Sequence, residues 1–317
     1  MYNAPNENPQ DPRVFVPYVE FYITNVCNIK CSNCNRFNDN DFKGWQRWSD
    51  YQHIYEQWAS RIQLQRIVIL GGEPLLNPSL MDWVEGINRL WNKPVQVLTN
   101  GTRLNAFPNL YDRMLSWSHT HNRWIKNWIG VSLHNPNDKD RCFEEIRKFL
   151  KGDVKFYHKD DPENADNSKT YGGEWAFVDS NGMRVCVWMY DSFYPAAIQK
   201  NALGQYTVHN NDPLEAHSDC GFVQCKSYHF IKGAIYKCGP VALFPEFDKQ
   251  HPLQISEDDR ALMNSYQPYT IEVFDRQGLS GIDDPIPQCK FCPAGKDQPL
   301  YQLFAVSKKA GSTSSYD

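Results

Sequence analysis

Three closely spaced cysteines near the start of the chain are the first residues that could do chemistry. Cys27, Cys31 and Cys34 lie within eight residues and directly follow an apolar stretch that runs from Val14 to Thr24. Thiolates hold iron–sulfur clusters, and three of them leave one iron with an open coordination position. The same thiolates could be three ligands of a zinc site whose fourth ligand lies elsewhere. The spacing favours the cluster, because zinc motifs usually pair their cysteines.

A second motif, Gly71-Gly72-Glu73-Pro74, follows the short apolar run Arg66 to Leu70. Two glycines allow the backbone to approach a ligand closely, and the Glu73 carboxylate can accept hydrogen bonds from an ammonium group. Alone, the motif would be read as a plain turn that ends a strand. One strand–helix unit after the cysteine triplet, it indicates part of a ligand site.

The C-terminal third of the chain contains further cysteines. They are Cys220, Cys225, Cys238, Cys289 and Cys292. Cys225 and Cys238 flank a predicted β-hairpin that turns at Gly233, and the last two form a distant pair. Four thiols in this arrangement make a closed site, which by spacing suits zinc and iron–sulfur equally. Cys220 is a spare thiol and an alternative ligand.

The elements that must position these motifs alternate between apolar strands and amphipathic helices. Such alternation is typical of parallel βα units, and six strands predict a partial, six-stranded TIM-like βα barrel of the α/β class. In a βα barrel the active site lies at the C-terminal strand ends, where both motifs fall. Strands are predicted at 14–24, 66–70, 94–99, 128–133, 154–157 and 183–190, and helices at 49–63, 80–91, 110–117 and 138–150.

The distribution of strands, helices and polar stretches along the chain predicts four segments. Residues 1–13 form a loose leader, 14–205 the barrel and 206–307 a small α+β domain, and the Ser/Gly-rich residues 308–317 form a flexible tail. The boundary near 205 is placed where the alternation stops and the cysteines return. The polar residues 160–182 are predicted to form a long loop or a hairpin within the barrel.

Composition excludes some classes of function. The 317 residues carry 33 Lys and Arg against 37 Asp and Glu, with no basic cluster, which disfavours a nucleic-acid substrate. No apolar run is long enough to span a membrane, and the N-terminus does not resemble a signal peptide. We therefore expect a cytoplasmic protein without membrane association. In that reducing compartment, closely spaced cysteines indicate metal binding or catalysis before disulfides.

With both motifs in place, the chain resembles the radical SAM superfamily. The resemblance implies a four-iron four-sulfur cluster at Cys27, Cys31 and Cys34, whose open iron takes the amino and carboxylate groups of S-adenosylmethionine (SAM). It also implies that Gly72 and Glu73 hold the SAM amino group. Many members carry an aromatic residue just before the third cysteine, where this chain has Asn33. The SAM-binding residues implied are Gly71, Gly72, Glu73, Pro74, Thr99, Asn100, Ser132 and His134.

The second cysteine group resembles the twitch domain, a truncated form of the SPASM auxiliary-cluster domain that follows some radical SAM barrels. The chain has too few cysteines after Cys238 for the two clusters of a full SPASM domain. The resemblance therefore implies one auxiliary four-iron four-sulfur cluster. Its implied ligands are Cys225, Cys238, Cys289 and Cys292.

These features predict an enzyme that reductively cleaves SAM to a 5′-deoxyadenosyl radical. The radical would abstract hydrogen from a peptide or small-molecule substrate, in an oxidative modification that draws on a low-potential electron donor. Tyr190 and Asp191, at the end of the sixth predicted strand, are candidates for proton handling. Two alternatives remain open: a zinc-stabilised structural or binding module, and a radical SAM fold that serves as a scaffold without catalysis.

Overall fold

The computed structural model describes residues 10–119, 122–190, 195–297 and 307–308. The strands are Val14–Tyr22 (β1), Ile29–Lys30 (β2), Ile62–Leu70 (β3), Val95–Thr99 (β4), Ser118–His119 (β5), Asn122–Lys126 (β6), Trp128–Leu133 (β7), Val154–His158 (β8), Trp175–Asp179 (β9), Arg184–Met189 (β10), Ile198–Lys200 (β11), Tyr206–Val208 (β12), Tyr228–Ile231 (β13), Ala234–Tyr236 (β14) and Ser307–Lys308 (β15). The α-helices are Trp48–Ala59 (α1), Leu80–Trp91 (α2), Leu110–Ser116 (α3), Lys139–Phe149 (α4), Pro213–Ser218 (α5), Gly221–Gln224 (α6), Gly239–Gln250 (α7), Glu257–Asn264 (α8) and Ile271–Gln277 (α9).

One large sheet of nine strands organises the described residues, in the order β14-β13-β1-β3-β4-β7-β10-β9-β8. The six strands from β13 to β10 run parallel, and antiparallel strands extend both edges. Parallel strands need crossover connections, and α1 and α2 supply those before β3 and β4. The predicted α/β class, with a mostly parallel sheet like that of a partial TIM-like barrel, is confirmed.

The expected fifth parallel strand, 154–157, has a different place in the sheet. β10 pairs directly with β7, with Val187 opposite Val131, and β8 pairs in antiparallel fashion with β9 at the sheet edge. No α-helix lies between His158 and Trp175, so the chain returns as a hairpin instead of crossing over. The segment predicted as a long loop or a hairpin, 160–182, contains the connection from β8 and the strand β9, and the sixth parallel position is filled by β13.

The sheet continues across the predicted boundary near residue 205. β13 lies parallel to β1, with His229 opposite Glu20 and Phe230 opposite Phe21. Residues of the predicted second domain thus share a sheet with the first strand of the barrel. The division at 205 stays a prediction. Of the predicted leader and tail, residues 1–9 and 309–317 lie outside the described residues.

Aromatic side chains fill the core between the sheet and its first two helices. Trp58 and Trp83, on α1 and α2, are fully buried, and Trp48 stacks on Tyr55 with ring centroids 5.5 Å apart. The Trp58 ring lies edge-on to Phe230 of β13. These contacts lock the two helices against β1 and β13, which fixes the strand ends that carry the motifs. None of the described helices combines the length and apolar character that a bilayer span requires.

Candidate functional site

The cysteine triplet occupies the loop that leaves the C-terminal end of β1. Cys27 and Cys31 are 9% and 7% exposed and pack with Ile29 into a small cluster of their own, beside half-buried Cys34. Two turns shape the loop, because the N–H of Cys34 donates to the Cys31 carbonyl and that of Phe37 to the Cys34 carbonyl. Burial is the main cause that raises the pKa of Cys31, and the neighbouring thiols of Cys34 and Cys27 raise it further. Binding a cationic metal centre would reverse that penalty by stabilising the thiolates.

These thiols do not converge on a single point. Within the described ranges, no set of three or more His, Cys, Asp or Glu side chains is gathered closely enough to hold one metal ion. A lone zinc would need its sulfur ligands about 2.3 Å from one centre, whereas each thiolate on a polynuclear cluster binds a different iron. The donor set of three clustered soft thiols fits an iron–sulfur cluster. The ligand assignment stays a prediction.

The Gly71-Gly72 pair packs against the loop that leads to the cysteines. A Cβ on Gly71 would overlap the Thr24 carbonyl oxygen, and one on Gly72 would overlap the Val26 carbonyl and come within 3.0 Å of the Cys27 Cβ. The N–H of Gly72 donates to Thr24 and that of Glu73 to Val26, at 2.7 and 2.8 Å. The glycines are therefore needed for close approach to the chain's own backbone, where the sequence predicted close approach to a ligand.

Glu73 is completely buried, and its carboxylate is occupied by groups of the protein. Oε1 accepts from the Thr99 hydroxyl at 2.6 Å and from the Leu75 N–H at 3.0 Å, and Oε2 accepts from the Asn100 N–H at 2.8 Å. Burial raises the pKa of Glu73, and these donors oppose that rise. In this geometry the carboxylate braces the end of β3 to the end of β4. Glu73 and Pro74, which is also buried, present no exposed side chain to a ligand.

Asn100 connects this brace to the cysteines. Its side-chain amide donates to the Asn28 side-chain oxygen Oδ1 at 2.9 Å and lies 4.0 Å from the Cys27 sulfur. Asn28 in turn donates to the Thr102 hydroxyl at 2.8 Å. The residues after β1, β3 and β4 thus form one hydrogen-bonded unit at the C-terminal edge of the sheet.

The other predicted site residues lie at the ends of β7 and β10. Ser132 is 9% exposed, and the ring of His134 stacks on that of Tyr190 with centroids 6.1 Å apart. Burial lowers the pKa of His134 to about 4 and raises that of Tyr190. His134 is therefore a neutral imidazole at neutral pH. Asp191, the other candidate for proton handling, lies outside the described residues.

A buried charged network, which the sequence did not predict, anchors the end of the cysteine loop. Arg36 donates to Glu20 Oε2 at 2.5 Å, and His229 Nε2 lies 2.7 Å from the same oxygen. The Tyr18 hydroxyl donates to the other oxygen at 2.7 Å. Burial alone would raise the pKa of Glu20, but the charge of Arg36 and the contact with His229 outweigh it and hold that pKa well below its usual range.

The network joins the two cysteine groups. Arg36 follows Cys34 by two residues, and a Cβ on Gly239 would lie 2.5 Å from its guanidinium. Gly239 directly follows Cys238 at the start of α7. The signal available in the sequence was a lone Glu in the apolar first strand, which marks a buried charge that needs a partner, but nothing in the sequence names that partner.

The C-terminal cysteines line a cavity, with one exception. Cys220, Cys238, Cys289 and Cys292 border it together with Lys237 and apolar side chains. Burial raises the pKa of Cys238 to about 12 and that of Cys292 well above its ordinary value. Cys225, one of the four predicted ligands, is exposed and does not border the cavity. The structure thus brings together three of the predicted ligands with the spare thiol.

A known family model matches the part of the chain that carries the cysteine triplet and the Gly-Gly-Glu-Pro turn. Residues 21–158 match the family model described as the Radical SAM superfamily. That segment contains the triplet, the brace and the parallel strands β3, β4 and β7. Over these residues the chain is similar to the radical SAM superfamily, whose members use a four-iron four-sulfur cluster and SAM.

Among curated proteins, the chain is similar to two enzymes named probable GTP 3′,8-cyclase. The one from Methanothermobacter thermautotrophicus is 31% identical over 85 residues, 27% of this chain and 28% of that protein. The one from Methanocaldococcus jannaschii is 29% identical over 133 residues, 42% of this chain and 40% of that protein. The chain therefore spans well under half the length of these relatives.

Two solved structures are also similar to the chain over 43% of its length. Streptococcus suis SuiB bound to S-adenosylmethionine matches with 17% identity, a TM-score of 0.33 and 31% of that chain covered. The enzyme anSMEcpe with bound AdoMet and a peptide matches with 16% identity, a TM-score of 0.29 and 40% covered.

Proposed function

We propose that this protein is a radical SAM enzyme that cleaves SAM reductively and abstracts hydrogen from a peptide or small-molecule substrate. The observation that carries the proposal is the hydrogen-bonded unit at the C-terminal edge of the sheet, in which Asn100 links the Glu73 brace to Cys27. In the βα class of fold, this edge is where ligands and catalytic groups collect. The cofactors would supply the radical chemistry, and the protein would supply binding, orientation and exclusion of water.

Each part of the unit has a role in this proposal. Cys27, Cys31 and Cys34 would hold the four-iron four-sulfur cluster in a loop that is largely shielded from water. Because the Glu73 carboxylate is occupied, the backbone of the Gly71–Glu73 turn would receive the SAM amino group. Ser132 and neutral His134 lie at the end of β7, where they would border the nucleoside half of SAM.

The C-terminal cysteines support a second, auxiliary iron–sulfur cluster of the twitch type. Such a cluster could accept an electron from the substrate and so favour an oxidative outcome. The substrate would be a peptide or a small molecule. The curated relatives named for GTP point to a nucleotide within the second class. Electrons would come from a low-potential donor protein, and Tyr190 with Asp191 would handle protons.

Anaerobic turnover tests the proposal. The protein is reconstituted with iron and sulfide, reduced and given SAM, and 5′-deoxyadenosine is quantified by mass spectrometry. We expect 5′-deoxyadenosine from the wild type and none from a variant with Cys27, Cys31 and Cys34 changed to Ala. Zinc in place of iron would support a structural module instead. An assembled cluster that leaves SAM intact, even with nucleotides and candidate peptides present, would support a non-catalytic scaffold.

A further inference from the structure

The auxiliary site proposed above has a ligand set that differs from the one read from the sequence. The cavity between α5, α7 and the segment 286–292 is bordered by the thiols of Cys220, Cys238, Cys289 and Cys292. The electrostatics agree with this grouping. Burial raises the pKa of the Cys292 thiol, and the nearby thiols of Cys238, Cys220 and Cys289 raise it further. Cys225 contributes to none of these contacts.

The local fold explains why only one of the two neighbouring cysteines faces the cavity. Cys220 is the N-cap and Cys225 the C-cap of α6, a helix of a single turn. The backbone is extended at Cys220 and helical at Cys225, so the two residues direct their side chains differently. Cys220 borders the cavity, whereas Cys225 is exposed.

Lys237 gives an independent sign that this cavity holds negative charge. It is 4% exposed, and its ammonium group donates to the Ile282 carbonyl at 2.9 Å and contacts His217 Nε2 at 3.3 Å. In the part of the chain that the structure describes, no carboxylate forms an ion pair with it. A buried ammonium without a counter-charge is costly, and four thiolates around a cluster would supply that charge.

The spacing of the thiols indicates what they bind. They border a common space, yet no three of them converge as a single ion requires. A cluster of several irons uses one thiolate per iron and fills the space between them, as in four-cysteine iron–sulfur sites. The apolar lining, which includes Val241 and Phe244, would shield such a cluster from water.

We propose that Cys220, and not Cys225, completes a four-thiolate auxiliary iron–sulfur site with Cys238, Cys289 and Cys292, and that Lys237 is its buried counter-charge. The inference rests on the auxiliary cluster of the proposed function. It is independent of SAM cleavage, because every residue it uses lies outside the 21–158 segment that carries the radical SAM match.

The test isolates the second site in the full-length chain. In a background with Cys27, Cys31 and Cys34 changed to Ala, iron and sulfide per chain are measured after anaerobic reconstitution, together with the electron paramagnetic resonance spectrum after reduction. We expect about four irons and four sulfides in this background. Adding Cys225→Ala should leave both values and the spectrum unchanged, whereas Cys220→Ala should lower the iron content and alter the spectrum.

A labelling experiment without mutations of this pair covers the case in which Cys220→Ala fails to fold. In the reconstituted wild type, iodoacetamide should modify Cys225 and spare Cys220 until the iron is chelated. Protection of Cys225 with labelling of Cys220, or loss of iron only in Cys225→Ala, would overturn the inference. A background variant that binds no iron, or binds zinc, would also overturn it. All of these results concern the C-terminal cysteines and would leave the SAM cluster of the proposed function untouched.

Discussion

Changing Glu73 to Gln tests whether its carboxylate braces the fold or contacts SAM. The carboxylate accepts three hydrogen bonds, two at Oε1 and one at Oε2. Gln keeps only one acceptor oxygen. The Gln side-chain amide can take two orientations, and the one that keeps more hydrogen bonds places its oxygen where Thr99 and Leu75 donate. In that orientation the amide nitrogen faces the N–H of Asn100. One hydrogen bond to a charged acceptor is lost and two donors are left facing each other, at a cost of about 1.5–3 kcal/mol.

The measurement is urea unfolding of the apoprotein in mildly alkaline buffer, which favours the ionised carboxylate over the protonated form that burial promotes. We expect Glu73→Gln to lower the free energy of unfolding by that amount. Glu56→Gln, on the exposed face of α1, serves as the control and should change it by less than about 0.5 kcal/mol. If Glu73→Gln unfolds like the wild type but loses SAM affinity, the carboxylate contacts SAM and the brace is refuted.

Three further perturbations follow from the structure. Gly72→Ala, whose Cβ would overlap the Val26 carbonyl, should lower the free energy of unfolding by about 1–3 kcal/mol and reduce iron loading; a fully loaded, stable variant would contradict the packing described here. Lys237→Met should shift the auxiliary-cluster midpoint to lower potential in spectroelectrochemical titration, whereas Lys226→Met, at an exposed position, should not; equal midpoints would remove the counter-charge role. Because the folded pKa of Glu20 is depressed, its stabilising effect is complete above its unfolded pKa of about 4.3 and is lost as the pH falls toward the folded pKa. In Glu20→Gln, the free energy of unfolding should therefore fall less steeply below about pH 5 than in the wild type. An equally steep fall in both proteins would contradict this.

Local patterns predicted the elements that follow from periodicity. The helix 80–91 has the predicted bounds, because its apolar residues recur at helical spacing and most of them are buried. β3 begins at Ile62, four residues earlier than predicted, since Gln63 and Gln65 alternate with buried Ile62 and Leu64. An apolar run marks only the fully buried half of such a strand. The first residues of β3, where polar and apolar side chains alternate, therefore lie outside the predicted range.

Pairing between distant segments could not be read from the sequence. The segment 154–157 is a strand, but its direction depends on the missing crossover helix. β13 lies next to β1, although more than 200 residues separate them in the chain. For the same reason, the sequence did not identify Arg36 as the partner of Glu20. It did indicate Glu73 and Asn100 as candidate site residues, because each lies close to the end of a predicted strand. Spacing also treats Cys220 and Cys225 alike, and only the backbone conformation at the two ends of α6 separates them.

The most direct test of the central claim is whether SAM binds at a cluster held by the cysteine triplet. Electron paramagnetic resonance spectra of the reduced, reconstituted protein are recorded with and without SAM. We expect SAM to change the cluster signal in the wild type and in Cys220→Ala, and to change nothing when Cys27, Cys31 and Cys34 are Ala. A signal that is indifferent to SAM in the intact protein, or a SAM-dependent change that survives loss of the triplet, would contradict the site described here.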